Sequence, residues 1–420
     1  MKIKKYLLAF ILILIGEGIF ILPFLITRVF RPTFLKVFEI NNFQLGSAFS
    51  VYGIVAMLSY FIGGPIADRF SPKHILFSSL LLTGLGGLLL VQVPSVSRLI
   101  VLYGFWGMTT ILLFLAAFIK VTRLNWKDSS QGIGFGIVDS GRGVVGALLA
   151  SLAVLLFQFY LPIDVESASL EQVSKGIIAV ILFFSGFTIL AAIMVLFLLP
   201  KQGKQTTSKT ITESYSNLKT LIKKRSIWLN GIIVLCAYVG YKCTDDFSLY
   251  ASVVLGYNDL EAAKLGTLTF WMRPIAALTA GYLGDRFVHS KVILIAFALL
   301  LLGSLLLGFG IPYLHLSFLL LFTFVISSYA IYGLRGLYFS ILKDHKIEAL
   351  KIGSAIGVIS FIGYTPDVFM GPLMGYLLDN NPGVLGHQLL FVVLAGFCLI
   401  GMFCTFLFLR TMPRGETKLD

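Results

Sequence analysis

The sequence is short of what a water-soluble chain needs most, which is charge. Only 13% of its 420 residues are Asp, Glu, Lys or Arg, against 57% that are hydrophobic. Soluble domains carry about 25% charged residues and use them as a polar shell, so a soluble globule of this length is excluded. Cysteine is scarce too. Cys236, Cys243, Cys398 and Cys404 sit inside apolar runs with no metal-ligand or disulfide-framework spacing, and read as small buried apolar side chains. No phosphate-cradling loop, metal-ligand cluster or nucleophile triad appears. The nearest approach, Gly132-x-Gly134-x-Gly136, opens an apolar run and lacks the rest of a dinucleotide fingerprint. These absences argue against an enzyme, a cofactor and a bound metal.

What the chain has instead is long apolar runs. In a bilayer core every backbone N–H and C=O must be paired internally, so only helices or closed barrels cross it. Barrel strands alternate apolar and polar residues; these runs are continuous over about 20 residues, the length of a membrane-spanning helix. The spans read as Tyr6–Thr27, Leu45–Ile66, Ile75–Val93, Leu99–Ile119, Gly132–Phe159 and Gly176–Leu199, then Ile227–Val254, Leu265–Leu283, Val292–Ile311, Leu316–Leu342, Ile352–Leu378 and Leu389–Leu409. Between the two sets lies a polar segment with Lys201, Lys204, Lys209, Lys219, Lys223, Lys224 and Arg225. It reads as a linker, with a short amphipathic helix around Tyr215–Ile222.

The net charge of +13 follows from orientation. With the amino terminus in the cytoplasm, 23 of the 33 Lys and Arg fall on the cytoplasmic side, 6 on the other and 4 within spans. The positive-inside rule then places both termini in the cytoplasm, and nucleic acid is not needed to explain the charge. Lys2 to Lys5 precede an apolar run longer than a signal peptide's, with no small-residue cleavage site after it, so the first span reads as retained.

The chain also repeats itself. Gly64-Pro-Ile-Ala-Asp68-Arg69-Phe70 ends the second span and Gly281-Tyr-Leu-Gly-Asp285-Arg286-Phe287 ends the eighth, each followed by a basic residue and an apolar run. The aspartates are 217 residues apart (68 to 285). Gly132 and Gly136 are echoed by Gly353 and Gly357 at a spacing of 221. Two half-chain copies point to two six-helix halves. With its linker and repeat, the chain resembles the major facilitator superfamily, whose signature after helix two reads G-x-x-x-D-R-x-G-R-[KR]-[KR]. Gly64, Asp68, Arg69 and Lys73 fit it, while Ser71 and Pro72 depart from it. Within the family it looks closest to poorly characterised bacterial inner-membrane permeases, and more distantly to organic-phosphate antiporters. The resemblance implies that Gly64, Asp68, Arg69, Lys73, Gly281, Asp285 and Arg286 latch one conformational state. It also implies a small-molecule substrate bound near the bilayer midplane between the halves.

Ionisable groups inside a span are expensive unless paired or wetted, which makes them the leading site candidates. They are Glu17, Asp139, Arg142, Lys242, Asp245, Asp246, Arg273, Arg335 and Asp367, with Arg28 at the outer end of the first span. Arg142 lies 11 residues beyond Gln131, about 16 Å into the membrane. A guanidinium offers a permanent charge and a planar fork of donors, which suits carboxylate, phosphate or sulfonate. Arg28, Arg142, Arg273, Arg335 and Lys242 are therefore candidate substrate contacts. Glu17, Asp139, Asp245, Asp246 and Asp367 are candidate proton carriers. The plainer reading is a structural pair: Asp139 and Arg142 are i, i+3 neighbours able to neutralise each other. Lys242 lies i, i+3 from Asp245 and i, i+4 from Asp246, so all three can share a face, and two carboxylates with one lysine leave one proton or cation negotiable. Gly132, Gly136, Ser140, Gly143, Ala147 and Ser151 give the fifth span a small-residue face suited to close packing. Tyr52, Trp106, Trp271, Tyr332 and Tyr364 read mainly as packing or interface residues, with a cavity wall as the alternative.

The expectation is an all-α integral membrane protein of twelve transmembrane helices in two pseudo-symmetric six-helix bundles, residues 1–199 and 227–420, joined by a cytoplasmic linker over 200–226. It is expected to be a monomer in the bacterial inner membrane, contacting lipid and a small solute, without cofactor or nucleic acid. Its expected work is secondary transport of an organic anion by alternating access, with proton coupling as an option. An exporter of amphipathic compounds or lipid, and a non-transporting sensor, are the alternatives.

Overall fold

Apolar runs deprived of water as a hydrogen-bond partner close their backbone bonds within themselves, and the chain does so almost throughout. The computed structural model describes residues 2–125, 131–199, 222–310, 317–345 and 349–411, and among them there is no β-strand. The helices are α1 (Lys2–Phe20), α2 (Ile26–Val29), α3 (Arg31–Phe38), α4 (Asn42–Arg69), α5 (Pro72–Leu90), α6 (Val96–Gly107), α7 (Ala116–Asn125), α8 (Gln131–Phe159) and α9 (Leu170–Leu198). Then come α10 (Arg225–Cys243), α11 (Phe247–Val253), α12 (Asp259–Arg286), α13 (His289–Phe309), α14 (Ser317–Leu337), α15 (Ala349–Gly363), α16 (Pro366–Asn380) and α17 (Val384–Arg410). The linker helix expected around Tyr215–Ile222 lies, up to residue 221, outside the described residues.

Eleven stretches among the described residues are long and apolar enough to cross a membrane. The eighth expected span, α12, matches the others in length but is diluted by buried Thr267, Thr269 and Arg273. Three spans depart from a plain α-helix. The first passes through a π-helical turn at Ile21–Leu25, which contains Pro23, and the fourth through another at Met108–Leu115. The seventh breaks at a 3-10 turn, Thr244–Asp246, between α10 and α11. The eleventh, expected as one helix, is interrupted at Tyr364 and Thr365, just before Pro366, which has no N–H to donate back into α15 and starts α16.

The repeat is visible in the helix ends. Helix α4 runs from 42 to 69 and α12 from 259 to 286, and α5 and α13 begin at 72 and 289; each boundary lies 217 residues beyond its counterpart. Even the caps recur. Asn41 accepts from the Gln44 backbone N–H while the Gln44 side chain accepts from the Asn41 N–H. Asn258 and Glu261, at the same offset, make the same reciprocal pair of bonds.

The chain packs as two compact units. The first comprises Met1–Lys204, Asp245–Trp271 and Asp367–Asn380; the second comprises Gln205–Thr244, Met272–Pro366 and Asn381–Asp420. In the first, α1 packs on α8 and α9, α4 on α6 and α5 on α9. Its core holds Trp106, Tyr103, Phe30, Phe157 and Phe184, all essentially inaccessible. In the second, α13 lies against α14 and α17, and α10 against α15 and α17. Close approach there depends on glycine: a Cβ on Gly401 meets the Phe297 ring at 2.6 Å, and one on Gly303 meets Ser327 Oγ at 2.2 Å.

Candidate functional site

Three groups of the expected residues acquire partners. The first joins α1 and α8. Gly141 receives Ile13 and Gly146 receives Glu17, whose Oε1 would lie 2.6 Å from a Cβ there. That recess lets a buried carboxylate, 5% exposed, stand on the α1–α8 contact. Arg142 of α8 faces it with Nε 3.5 Å from Glu17 Oε2, and its Nη1 is 3.5 Å from Asp139 Oδ1. The Glu17 side chain is closed off from the surface and that of Asp139 is open. The Phe20 ring lies 5.7 Å from the guanidinium carbon. Ion pairs this long are weaker than a hydrogen-bonded bidentate pair. The arrangement is a fixed cation beside two carboxylates of unlike environment.

The second group lies at the ends of the spans remote from the amino terminus. Arg28 of α2 donates from Nε to Asp245 Oδ1 and forms an ion pair with the same oxygen through Nη2, both side chains being almost wholly buried. Ser248 Oγ donates to the Arg28 carbonyl at 2.8 Å, and Phe270 lies 5.7 Å from the guanidinium carbon. Arg31, 1% exposed, donates from Nε and Nη2 to Asn42 Oδ1 at 3.1 and 3.0 Å, with Asp246, Asp245 and Asp379 near enough to act on it electrostatically. The Asp379 carboxylate accepts from the Asn42 and Phe43 backbone N–H groups, tying the start of α4 to the end of α16. Thr33 donates to Asp259 at 2.9 Å, and Lys36 stands 3.7 Å from the same carboxylate. Beside them a cavity of about 550 Å³ is lined by Lys36, Glu166, Asn258 and Asp259 among others.

Helices α4 and α16 meet here backbone to backbone. A Cβ on Gly46 would stand 2.1 Å from the Gly371 carbonyl oxygen, and one on Gly375 2.3 Å from Phe43 Cα. Gly53 rests in the same way on the backbone of Asp367, itself 9% exposed at the start of α16. The sequence reading overlooked this contact, although Gly46 and Gly53 are seven residues apart on one helix and Gly371 and Gly375 four apart on the other. Of the small-residue face expected on α8, Gly143 and Ala147 are buried and Gly136 has open space around it, while Gly141 and Gly146, not singled out from sequence, receive Ile13 and Glu17. Ser151 accepts from Trp271 Nε1 at 3.1 Å. Tyr52 bonds Thr110, and Trp106 donates to the Thr83 carbonyl inside the core.

The third group is in the second unit. The Arg335 guanidinium lies over the Tyr241 ring at 3.8 Å. Tyr241 touches Tyr238 and Tyr332, Tyr238 touches Tyr364, and the Tyr364 hydroxyl is 3.3 Å from that of Tyr338. Five tyrosines thus form one connected cluster with Arg335 on the ring of Tyr241, and of them Tyr332 and Tyr364 were singled out from sequence. Lys242 and Arg273 are buried in the same unit. Because the chain leaves the α-helix at Thr244, Lys242 does not share one continuous helical face with Asp245 and Asp246.

In the repeated motif Arg69, Asp285 and Arg286 are exposed, Lys73 and Gly281 are half-buried, and Arg286 Nη1 reaches the Tyr282 hydroxyl at 3.4 Å. The side-chain surroundings of Gly64 and Asp68 lie outside the described residues. Among the described residues no group of His, Cys, Asp or Glu is arranged to hold a metal ion, and the four cysteines are free and buried.

Comparison with known proteins agrees with this layout. The chain is 26% identical to the Inner membrane protein YihN of Escherichia coli (strain K12), over 99% of this chain and 98% of that one. It is 25% identical to YqcE of the same organism, over 91% and 89%. Its fold matches the inward-facing, unoccupied crystal structure of a bacterial homologue of the human lysosomal transporter Spinster, with TM-score 0.74 and 18% identity over 98% of each chain. The nucleoside transporter NupG matches at TM-score 0.71 with 14% identity, over 97% of this chain and 99% of the other. The family model of the Major Facilitator Superfamily matches residues 6–365. The chain belongs to the major facilitator superfamily, as a multi-pass membrane transporter and not an enzyme.

Proposed function

We propose that the protein moves a small organic anion, a carboxylate, phosphate or sulfonate ester, across the bacterial inner membrane by alternating access, as a monomer with both termini cytoplasmic. The relatives named inner membrane proteins support the location, and the excess of Lys and Arg on one side supports the orientation. In this reading residues 1–199 and 227–420 are the two six-helix halves, and 200–226 is the linker. The motif at Gly64, Asp68, Arg69 and Lys73, with its echo at Gly281, Asp285 and Arg286, latches the cytoplasmic side.

The observation that carries the substrate class is Arg142. A guanidinium within a span, faced at 3.5 Å by Glu17 and by Asp139, is a permanent cation whose carboxylate partners an incoming anion can replace. Arg335 supplies a second cation, set on an aromatic ring. Glu17, the buried one of the two carboxylates facing Arg142, is in this reading the candidate carrier of a coupled proton. A thermal-shift screen of the purified protein against anionic and neutral metabolites tests the class, since a ligand stabilises the folded state by mass action. Anions are expected to stabilise the parent and not the Arg142→Gln variant. Stabilisation by neutral or cationic compounds alone overturns the reading.

The five-tyrosine cluster favours a second reading, export of amphipathic compounds. Flux of an amphipathic dye out of proteoliposomes, unaffected by Arg142→Gln, distinguishes it.

A further inference from the structure

Arg28 and Asp245 are separated by 217 residues. That is the offset at which the helix boundaries of α4 and α12 and the capping boxes of Asn41 and Asn258 recur. Arg28 is therefore bonded to its own repeat mate. Two equivalent positions come into contact only where an axis relating the copies passes, and at such a place an unmodified repeat sets like against like. Two arginines or two aspartates buried here repel. In this chain the two mates carry opposite charges, and the contact becomes an attraction.

The surroundings make that attraction all-or-none. Neither side chain is more than 4% exposed. Gly266 of α12 packs on Val29, Ser248 bonds the Arg28 carbonyl, and Gly46 meets Gly371 backbone to backbone nearby. A buried ion pair is weak evidence of stability in itself, yet losing one partner leaves an uncompensated buried charge, which is strongly unfavourable. The pair therefore has two tolerable states: closed and paired, or open with both charges in water.

We infer that Arg28 and Asp245 form an axial latch that holds shut the end of the spans remote from the termini, and that neither residue binds substrate or carries the coupled proton. The inference rests on the alternating-access reading, but its test needs no substrate. Val29→Cys places a reporter thiol at the contact with Gly266, where the parent residue is 1% exposed. A membrane-impermeant maleimide is applied to the face remote from the termini, and labelling of the parent, with its four buried cysteines, is subtracted. The reporter alone is expected to label slowly. Adding Asp245→Asn is expected to raise the rate about tenfold or more, because the unpaired arginine drives the open state. The swapped variant Arg28→Asp/Asp245→Arg is expected to return labelling toward the slow rate, since it only exchanges mates. Unchanged labelling with Asp245→Asn overturns the latch whatever the swap does, and so does a folded swap that labels as fast as Asp245→Asn. If labelling behaves as expected but no anion stabilises the protein, the latch stands and the substrate reading falls.

Discussion

Two glycines of α8, ten residues apart, predict opposite outcomes for one chemical change. At Gly136 an added Cβ meets nothing within 4 Å; at Gly146 it stands 2.6 Å from Glu17 Oε1 and 3.2 Å from its Cδ. Either Gly→Ala change gains up to about 1 kcal/mol of helix propensity. At Gly146 the carboxylate must also retreat by about 0.8 Å to restore ordinary contact, and overpacking of that kind costs about 1–3 kcal/mol. Gly136→Ala is expected to be neutral or stabilising and Gly146→Ala destabilising, with about 1–3 kcal/mol between them. The four tryptophans allow melting of the detergent-purified protein to be followed by intrinsic fluorescence. A double-mutant cycle locates the cause. In a Glu17→Ala background the obstructing oxygen is gone, so the Gly146→Ala penalty should vanish. Equal penalties in both backgrounds would show that Glu17 does not occupy the Gly146 recess, and the geometry given for the Glu17–Arg142 pair would fall with it.

Other consequences are as direct. Gly46→Ala sets a methyl group 2.1 Å from a backbone oxygen that has no rotamer to change, so α4 and α16 must separate; labelling of the Val29→Cys reporter should rise about as much as with Asp245→Asn. Asp379→Ala removes the carboxylate on the first N–H groups of α4 while leaving the Asn41–Gln44 box, and should cost about 1 kcal/mol in melting experiments. Asn230 is fully buried with neither amide atom hydrogen-bonded among the described residues. Asn230→Leu should therefore raise the melting temperature, corresponding to about 1–3 kcal/mol; a fall would mean that the amide holds a polar partner essential to the fold.

The sequence was most readable where chemistry is local and least where it depends on which helix face turns inward. Span lengths follow from the bilayer, and the 217-residue repeat followed from two short motifs; the structure extends that repeat to helix ends and capping boxes. The break in the eleventh span was legible in Pro366 and was passed over because the apolar run continues through it. The break at Thr244–Asp246 carries no proline or glycine, so no local signal marked it. Helix faces are harder for a physical reason. In water the polar side of a helix marks the side that does not pack, but a membrane helix is apolar all round, so hydropathy gives no direction. That is why Gly136, which has open space around it, was read as part of the packing face of α8 while Gly141 and Gly146, which receive Ile13 and Glu17, were passed over. Arg28 was read among the candidate substrate contacts and Asp245 among the candidate proton carriers, and the structure shows the two as one ion pair. Their numbers already differed by the repeat offset. A buried charge and an opposite charge at its repeat position, on spans that lie at the axis relating the copies, are therefore worth testing as a pair before either is assigned to a substrate.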